Sequence, residues 1–403
     1  MSDSSALPSE LVRADAPEPM RWMRDHAQSA PAGHWDELRN QLMAQASSAG
    51  SPSAGAPSAL WSGFIDRLGP EGLAGLNQRM AALRRQVRDN GITYNVYAQT
   101  DQPQRPWALD LFPLMIDSQA WAQIERGVRQ RMVLLEHIMQ DAYGPQTLVA
   151  SGQLPAALVQ GHPGYLHPMH GAQPVGGRYL SLAAFDLARG PDGLWWLLSQ
   201  RTQAPSGLGY LLENRLAISR LFPEAFEALP VQRLAATYQA LVEGLKARCP
   251  VAPGEVPHIA LLTPGPYNET YFEHAYLARY LGLTLVQAED LTVRQGQLHL
   301  KTLQGLQRVH GLLKRVDDTW LDPLELRADS ALGVPGLLHA VRSGQVLVAN
   351  TPGSGFLESN ALLGFMPALA ENLLGEELVL PAIPSWWCGE AAAQPEALAK
   401  LSE

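Results

Sequence analysis

Lysine is scarce. Thirty residues are Lys or Arg, yet the lysines are only Lys246, Lys301, Lys314 and Lys400. None lies in a GxxxxGK[ST] loop, so a Walker-type phosphate site is excluded. Cysteine is scarcer. Cys249 and Cys388 offer neither zinc spacing nor a disulfide framework, which fits a reducing compartment. No apolar run approaches the roughly 18 residues of a membrane span, and the start MSDSSALPSE lacks a signal-peptide pattern; a cytoplasmic chain without membrane attachment is expected. Excess positive charge is missing too. The formal net charge of −9 argues against a general nucleic-acid binder, which presents a basic patch.

What is present is an ordinary globular composition, 46% apolar and 17% charged over 403 residues, enough for two or three domains with a sizeable core. MAQASSAGSPSAGAPSAL reads as a linker following one amphipathic helix. EGLAGLNQRMAALRRQVRDNG reads as a helix stopped at Gly91, and RPWALDLFPLMI as extended. SQAWAQIERGVRQRMVLLEHIMQDAYG carries a stripe of Trp121, Ile124, Val128, Met132, Leu135 and Met139, which predicts a core-packed helix. Residues 178–202 form a hairpin about GPDG, where Pro presets the bend and Gly accepts positive φ. From His258 the pattern becomes strand (HIALLT), Gly/Pro loop, helix with Asn268 as its cap and Gly282 as its stop, and strand (LTLVQAEDL): a βαβ unit. LTVRQGQLHLKT and VHGLLKRVDD are expected to extend its sheet. QVLVAN, TPGSGF and the helix SNALLGFMPALAENLLG repeat the strand–loop–helix step.

Several motifs suggest chemistry. Asp186, on the first hairpin strand, lies beside the end of the second, where carboxylates could hold Mg²⁺ against phosphates. The corner PSGLGY (Ser206, Gly207, Gly209, Tyr210) could bring backbone N–H groups to a phosphate, with Arg189 and Arg215 as bidentate charge clamps. Arg315, Asp317 and Asp318 close a strand at the carboxyl edge of the parallel sheet, where α/β ligands sit. TPGPYNET and NTPGSGF precede helices and could bind an anion, but neither is the GxGxxG of a dinucleotide site. His162, His167 and His170 lie in a Pro/Gly loop without an acidic or thiol neighbour, poor material for a metal site. No GxSxG elbow is present.

Four collinear stretches, TYNVYAQTDQPQRPWALDLFP, RYLSLAAFDLARGPDGLWWLL…RTQAPSGLGYLLENR, LLTPGPYNETYFEHAYLARYLGLTLVQAEDL and KRVDDTWLDPLELRADSALGVPGLLHAVRSGQVLVAN, resemble the circularly permuted type 2 ATP-grasp proteins, from about Thr93 to Cys388. The resemblance implies an α/β fold: a Rossmann-like parallel-sheet domain, an antiparallel hairpin α+β module and a helical N-terminal region. The expected boundaries are an N-terminal extension over 1–60, a helical and extended region over 61–175, the hairpin subdomain over 176–250 and the Rossmann-like part over 251–403. It also implies a carboxylate–amine ligase working through an acyl-phosphate, with ATP and Mg²⁺ as cofactors and small-molecule or peptide-like substrates. Asp186, Ser206, Arg215 and Asp318 should then converge on one cleft.

Departures from the family pattern accompany the likeness. Where relatives complete the metal site with an acid at the end of the second hairpin strand, this chain has Ser199, Gln200 and Arg201; Glu213 or Asn214 would have to substitute. A Lys that relatives carry after the glycine loop is Asn360 here. Relatives continue past PSWWCGE into a segment bearing the lysines that grip ATP, whereas Lys400 sits in a helical pattern. The implied alternatives are a ligase whose ATP clamp is completed by another segment or a partner domain, and a noncatalytic substrate-binding or scaffold relative.

Overall fold

The computed structural model describes residues 27–42, 57–68, 71–94 and 107–401. Most of the expected N-terminal extension, its Ser/Gly/Pro linker and residues 95–106 lie outside them. The chain divides into two compact units, one of Met1–Trp121, Ala188–Trp195 and Tyr210–Leu234, the other of Ala122–Leu187, Trp196–Gly209 and Ala235–Glu403.

In the first unit a two-residue strand β1 (Trp35–Asp36) pairs antiparallel with β2 (Gln41–Leu42). The helix Ala59–Ile65 opens on Ser58, whose hydroxyl accepts from Trp61 N. The helix Leu76–Asp89 ends before Gly91, which takes a positive φ of 63° that suits glycine. Phe64, Leu68, Leu83, Val87 and Phe222 are buried, and the Arg79 guanidinium lies 4.9 Å above the Phe222 ring. RPWALDLFPLMI forms no regular strand over its described part, 107–116; Pro113 lacks the N–H group that a ladder needs.

The hairpin of β3 (Ala184–Arg189) and β4 (Trp195–Arg201) forms as the sequence predicts, turning through Gly190 N–H to Leu194 O. The second unit is built on a parallel sheet. β5 (Ile259–Leu262), β6 (Thr284–Val286), β10 (Gly311–Lys314) and β11 (Leu347–Ala349) lie in the order β11–β10–β5–β6. All pairings are parallel, and every residue of β5, β10 and β11 is buried, as expected for strands covered on both faces.

LTVRQGQLHLKT does not extend this sheet. β7 (Leu291–Arg294), β8 (Gln297–Thr302) and β9 (Gly305–Arg308) make a separate antiparallel sheet. Gln295 and Gly296 both have positive φ, 51° and 75°, the tight turn that closes a hairpin on itself. A parallel partner needs a long crossover, which that turn does not supply.

Two helix expectations also shift. Thr270, not Asn268, is the N-cap of Tyr271–Leu281, and its side chain makes no capping bond. Asn268 Oδ1 instead accepts from Thr270 N at 3.0 Å and Thr270 Oγ1 at 2.7 Å, a local turn that competes with the cap. SNALLGFMPALAENLLG becomes one 3₁₀ turn, Asn360–Gly364, before a helix over Met366–Leu374, and a further 3₁₀ turn, Ser354–Glu358, precedes it in the glycine loop. Pro367 fits the first turn of that helix and would break a longer one.

The long helix Ser118–Ala142 buries Ile124, Gly127, Arg131, Leu134, Leu135, Ile138 and Met139, a face rotated from the expected stripe; Trp121 is exposed. Leu380 lies so close to Gly127 that a Cβ there would overlap it. Arg131 Nη2 donates to Leu380 O at 2.6 Å, and burial pulls its pKa down to about 10. At the end of the helix, Asp141 receives Thr147 N at 2.8 Å, Leu148 N at 3.0 Å and the Thr147 hydroxyl. Asp141→Ala is expected to destabilise this unit by about 1–2 kcal/mol. A chemical denaturation midpoint unchanged from wild type would contradict that. Among the described residues no helix is long and apolar enough to cross a membrane.

Candidate functional site at the carboxyl edge of the parallel sheet

The strand order fixes where a ligand could sit. From β5 the chain leaves through a helix to β6 on one side, and from β10 it leaves to β11 on the other. The carboxyl ends of β5 and β10 therefore flank a topological switch point, the place where open α/β sheets hold their ligands. Thr263 follows β5, and Arg315, Asp317 and Asp318 follow β10.

A strap, Thr202–Gly209, is bonded onto this edge. Lys314 Nζ donates to Gln203 O, and Arg315 Nη1 donates to Pro205 O. Asp318 N donates to Gln203 Oε1 at 2.6 Å. Thr202 N and Gln203 N share Glu358 Oε1 at 2.7 and 2.6 Å, and Asn350 Nδ2 and Ser354 Oγ both donate to Thr202 O. At the far end, Gly207 N and Gly209 N both donate to Glu273 Oε1, at 2.7 and 3.1 Å. Glycine is required at 209, because a Cβ there would sit 2.7 Å from the Glu273 side chain. The polar corner at the mouth of the hairpin is thus held by buried charges of the sheet edge, with Ser206 exposed.

Beneath the strap, Lys314 Nζ and Asp318 Oδ1 form a fully buried ion pair at 2.6 Å, and Asp318 Oδ2 accepts from Gly353 N at 2.8 Å. The Tyr143 hydroxyl donates to Gly353 O at 2.8 Å and accepts from Leu166 N at 2.9 Å; burial pushes its pKa up. Gly353 has φ +104°, and a Cβ there would overlap that hydroxyl. Gly353→Ala should therefore destabilise the unit by about 1–3 kcal/mol through strain and overpacking, read as a lowered denaturation midpoint. No loss would contradict this geometry.

Arg315 is 5% exposed and Glu273 is fully buried. Burial lowers the Arg315 pKa, and the Glu273 charge pulls it back. His274, next to Glu273, bonds Thr263 Oγ1 through Nδ1 at 2.9 Å and Thr270 Oγ1 through Nε2 at 3.1 Å. Burial, aided by Arg315, depresses its pKa to about 3, so the ring is neutral.

The sequence candidates fall into three places. Arg315 and Asp318 bond Pro205 and Gln203 of the strap that carries Ser206, Gly207 and Gly209, at the switch-point edge. Asp186 makes its contacts within the hairpin: Arg201 Nη2 at 3.0 Å and the Ser199 hydroxyl both donate to its Oδ2. The remaining candidates belong to the first unit. Arg189 bonds Glu37 at 3.1 Å and stacks over Trp35 at 4.5 Å. Tyr210 donates to Thr93 O at 2.8 Å. Glu213 Oε1 accepts from Asn90 Nδ2 at 2.5 Å, Asn214 Oδ1 accepts from Trp107 Nε1 at 3.0 Å, and Arg215 donates to Gln232 O at 2.7 Å. Sequence reasoning missed Gln203, Glu273, Lys314 and Glu358. For Glu273 a signal existed: an acid and His274 share the helix face of Leu277 and Ala278, positions that otherwise bury apolar side chains.

Residues 113–403 match the family described as circularly permuted ATP-grasp type 2. An uncharacterized protein of Mycobacterium tuberculosis is 39% identical over 350 residues, covering 85% of this chain and 40% of the relative. One from Synechocystis sp. is 35% identical over 318 residues, covering 78% and 65%. The chain thus spans less than two thirds of either relative. The apo structure of a glutathione synthetase-like effector from Globodera pallida aligns with a TM-score of 0.48 at 12% identity, over 74% of this chain and 67% of that one. The profile match over residues 113–403, with these identities across most of the chain, shows that the chain belongs to the circularly permuted ATP-grasp type 2 family.

Proposed function

We propose that this chain handles the carboxylate and amine substrates of an ATP-dependent ligase, which joins them as an amide through an acyl-phosphate. The observation that carries the reading is a buried guanidinium, Arg315, at the sheet's switch point under a glycine-containing strap. In such a reaction a positioned cation holds an anionic substrate, and a strap that excludes water protects a hydrolysable intermediate. Arg315 is the charge clamp of this reading, Asp318 positions the loops, and Ser206 supplies the exposed edge of the strap beside half-buried Gly207. The substrates are small-molecule or peptide-like.

The family generally binds ATP and Mg²⁺, and the described residues by themselves do not fit that pair. Among them no group of three His, Cys, Asp or Glu side chains could hold a metal ion. Asp186 is engaged by Arg201, and Lys314 is committed to Asp318. The nucleotide grip is assigned to residues outside the described ones, in this chain or on a partner domain. The same shortage favours a second reading, a noncatalytic substrate-binding relative. Hydroxylamine, a small amine that captures acyl-phosphates as hydroxamates, separates the two. The full chain with Mg·ATP and a pool of amino acids or peptides should form hydroxamate if it carries the nucleotide grip itself; none formed, with carboxylate binding retained, supports the binding relative and removes a ligase that acts without a partner domain.

A further inference from the structure

Each of the two buried charges at the sheet edge is only half used. Arg315 gives Nη1 to Pro205 O, while Nε and Nη2 make no hydrogen bond. Glu273 Oε1 accepts from Gly207 N and Gly209 N, while Oε2 makes no hydrogen bond. The charges act on each other without closing into an ion pair. Leaving buried charged atoms unpaired is strongly unfavourable, and such groups are explained by a partner.

The free atoms define that partner's chemistry. Nε and Nη2 are the side-on pair of the guanidinium, two parallel N–H groups spaced to receive both oxygens of one carboxylate. Oε2 is an acceptor on an ionised group and suits a cationic donor such as an ammonium. We infer that Arg315 and Glu273 form a two-ended subsite for a free α-amino acid or the corresponding end of a short peptide, with the carboxylate on Arg315 and the ammonium on Glu273. The strap closes over it, because the used halves of the same two side chains hold Pro205, Gly207 and Gly209. Ligand and strap are thereby coupled: a group drawn to the free half of either charge stiffens the half that holds the loop. This inference rests on the proposed carboxylate and amine chemistry and names the substrate class for it.

The test is calorimetric titration of the full chain, without nucleotide, with each proteinogenic L-amino acid, glycylglycine, and the N-acetyl and amide derivatives of whichever binds. Binding is expected for at least one free zwitterion. Blocking either end should weaken it by about a hundredfold or more, since a site built for a charged partner rejects the analogue that lacks it. Arg315→Lys keeps the charge and loses the fork, and should weaken binding comparably. Glu273→Gln keeps an oxygen for the two glycine N–H groups; it should melt lower than wild type, because it removes the charge acting on buried Arg315, and should lose the ammonium preference. No binding by any zwitterion, equal binding of the blocked derivatives, or wild-type affinity in Arg315→Lys would each overturn the inference. The blocked derivatives need no variant, so a misfolded mutant does not spoil the outcome. The readout is also independent of hydroxamate formation: zwitterion binding without hydroxamate removes only the ligase that acts without a partner domain, and hydroxamate from carboxylates without zwitterion binding removes this inference alone.

Discussion

Asp318→Ala is expected to destabilise the second unit by about 3–5 kcal/mol, the range for breaking a fully buried ion pair from one side. The substitution removes the only carboxylate in ion-pair contact with the Lys314 ammonium among the described residues, leaving Gln203 O as its hydrogen-bond partner and the Asp317 charge acting from beyond contact distance. It also removes the acceptor for Gly353 N. The effect comes from the isolated charge more than from lost attraction, which makes a second result diagnostic. The double variant Lys314→Met with Asp318→Leu should be less destabilised than Asp318→Ala, because neither charge of the buried pair remains to desolvate. Urea denaturation followed by circular dichroism measures both. A double variant at least as damaged as the single would show that the hydrogen bonds to Gln203 and Gly353, rather than charge burial, govern this corner.

Acid should loosen the same edge through His274. Its folded pKa, about 3, lies below the ordinary 6.5, so the unfolded chain takes up a proton that the folded chain refuses. The contribution to stability is fully present above about pH 6.5 and is lost as pH falls toward the folded value. Each pKa unit corresponds to about 1.36 kcal/mol, so the loss reaches about 2 kcal/mol at about pH 5 and about 3 kcal/mol at about pH 4. Other groups titrate in this window, so the measurement is the difference between wild type and His274→Gln, which lacks the titrating ring. The wild type should lose that much more stability than the variant across the interval. Parallel pH profiles would mean that the ring is protonated in the folded state.

Much of this architecture is legible in the sequence because it is locally encoded. The continuous apolar runs of β5, β10 and β11, the GPDG hairpin turn and the stops at Gly91 and Gly282 each announce themselves within a few residues. The separate β7–β8–β9 sheet was hidden because a strand pattern does not say which strand it pairs with; Gln295-Gly296 carries that information only through its turn geometry. The rotated face of the long helix was hidden by Arg131, a charged residue in a core position, held by Leu380 O from far along the chain. The site was half visible. Arg315 and Asp318 are legible as candidates because strand ends in α/β sheets hold ligands, and PSGLGY because glycines mark close approach. Their mounting was not visible: Glu273 receiving Gly207 and Gly209, and Glu358 receiving Thr202 and Gln203, are contacts over long sequence separations. Asp186 shows the converse: its side-chain partners, Ser199 and Arg201, stand on the neighbouring hairpin strand and engage the carboxylate that the sequence offers to a metal.

The most direct measurement is ADP formation from Mg·ATP by the full chain as the carboxylate substrate is varied, in wild type and in Arg315→Lys. The account predicts ADP that appears only with carboxylate present, and a KM for that substrate raised about a hundredfold in the variant. Carboxylate-independent ADP formation, or a variant with unchanged KM, would contradict it.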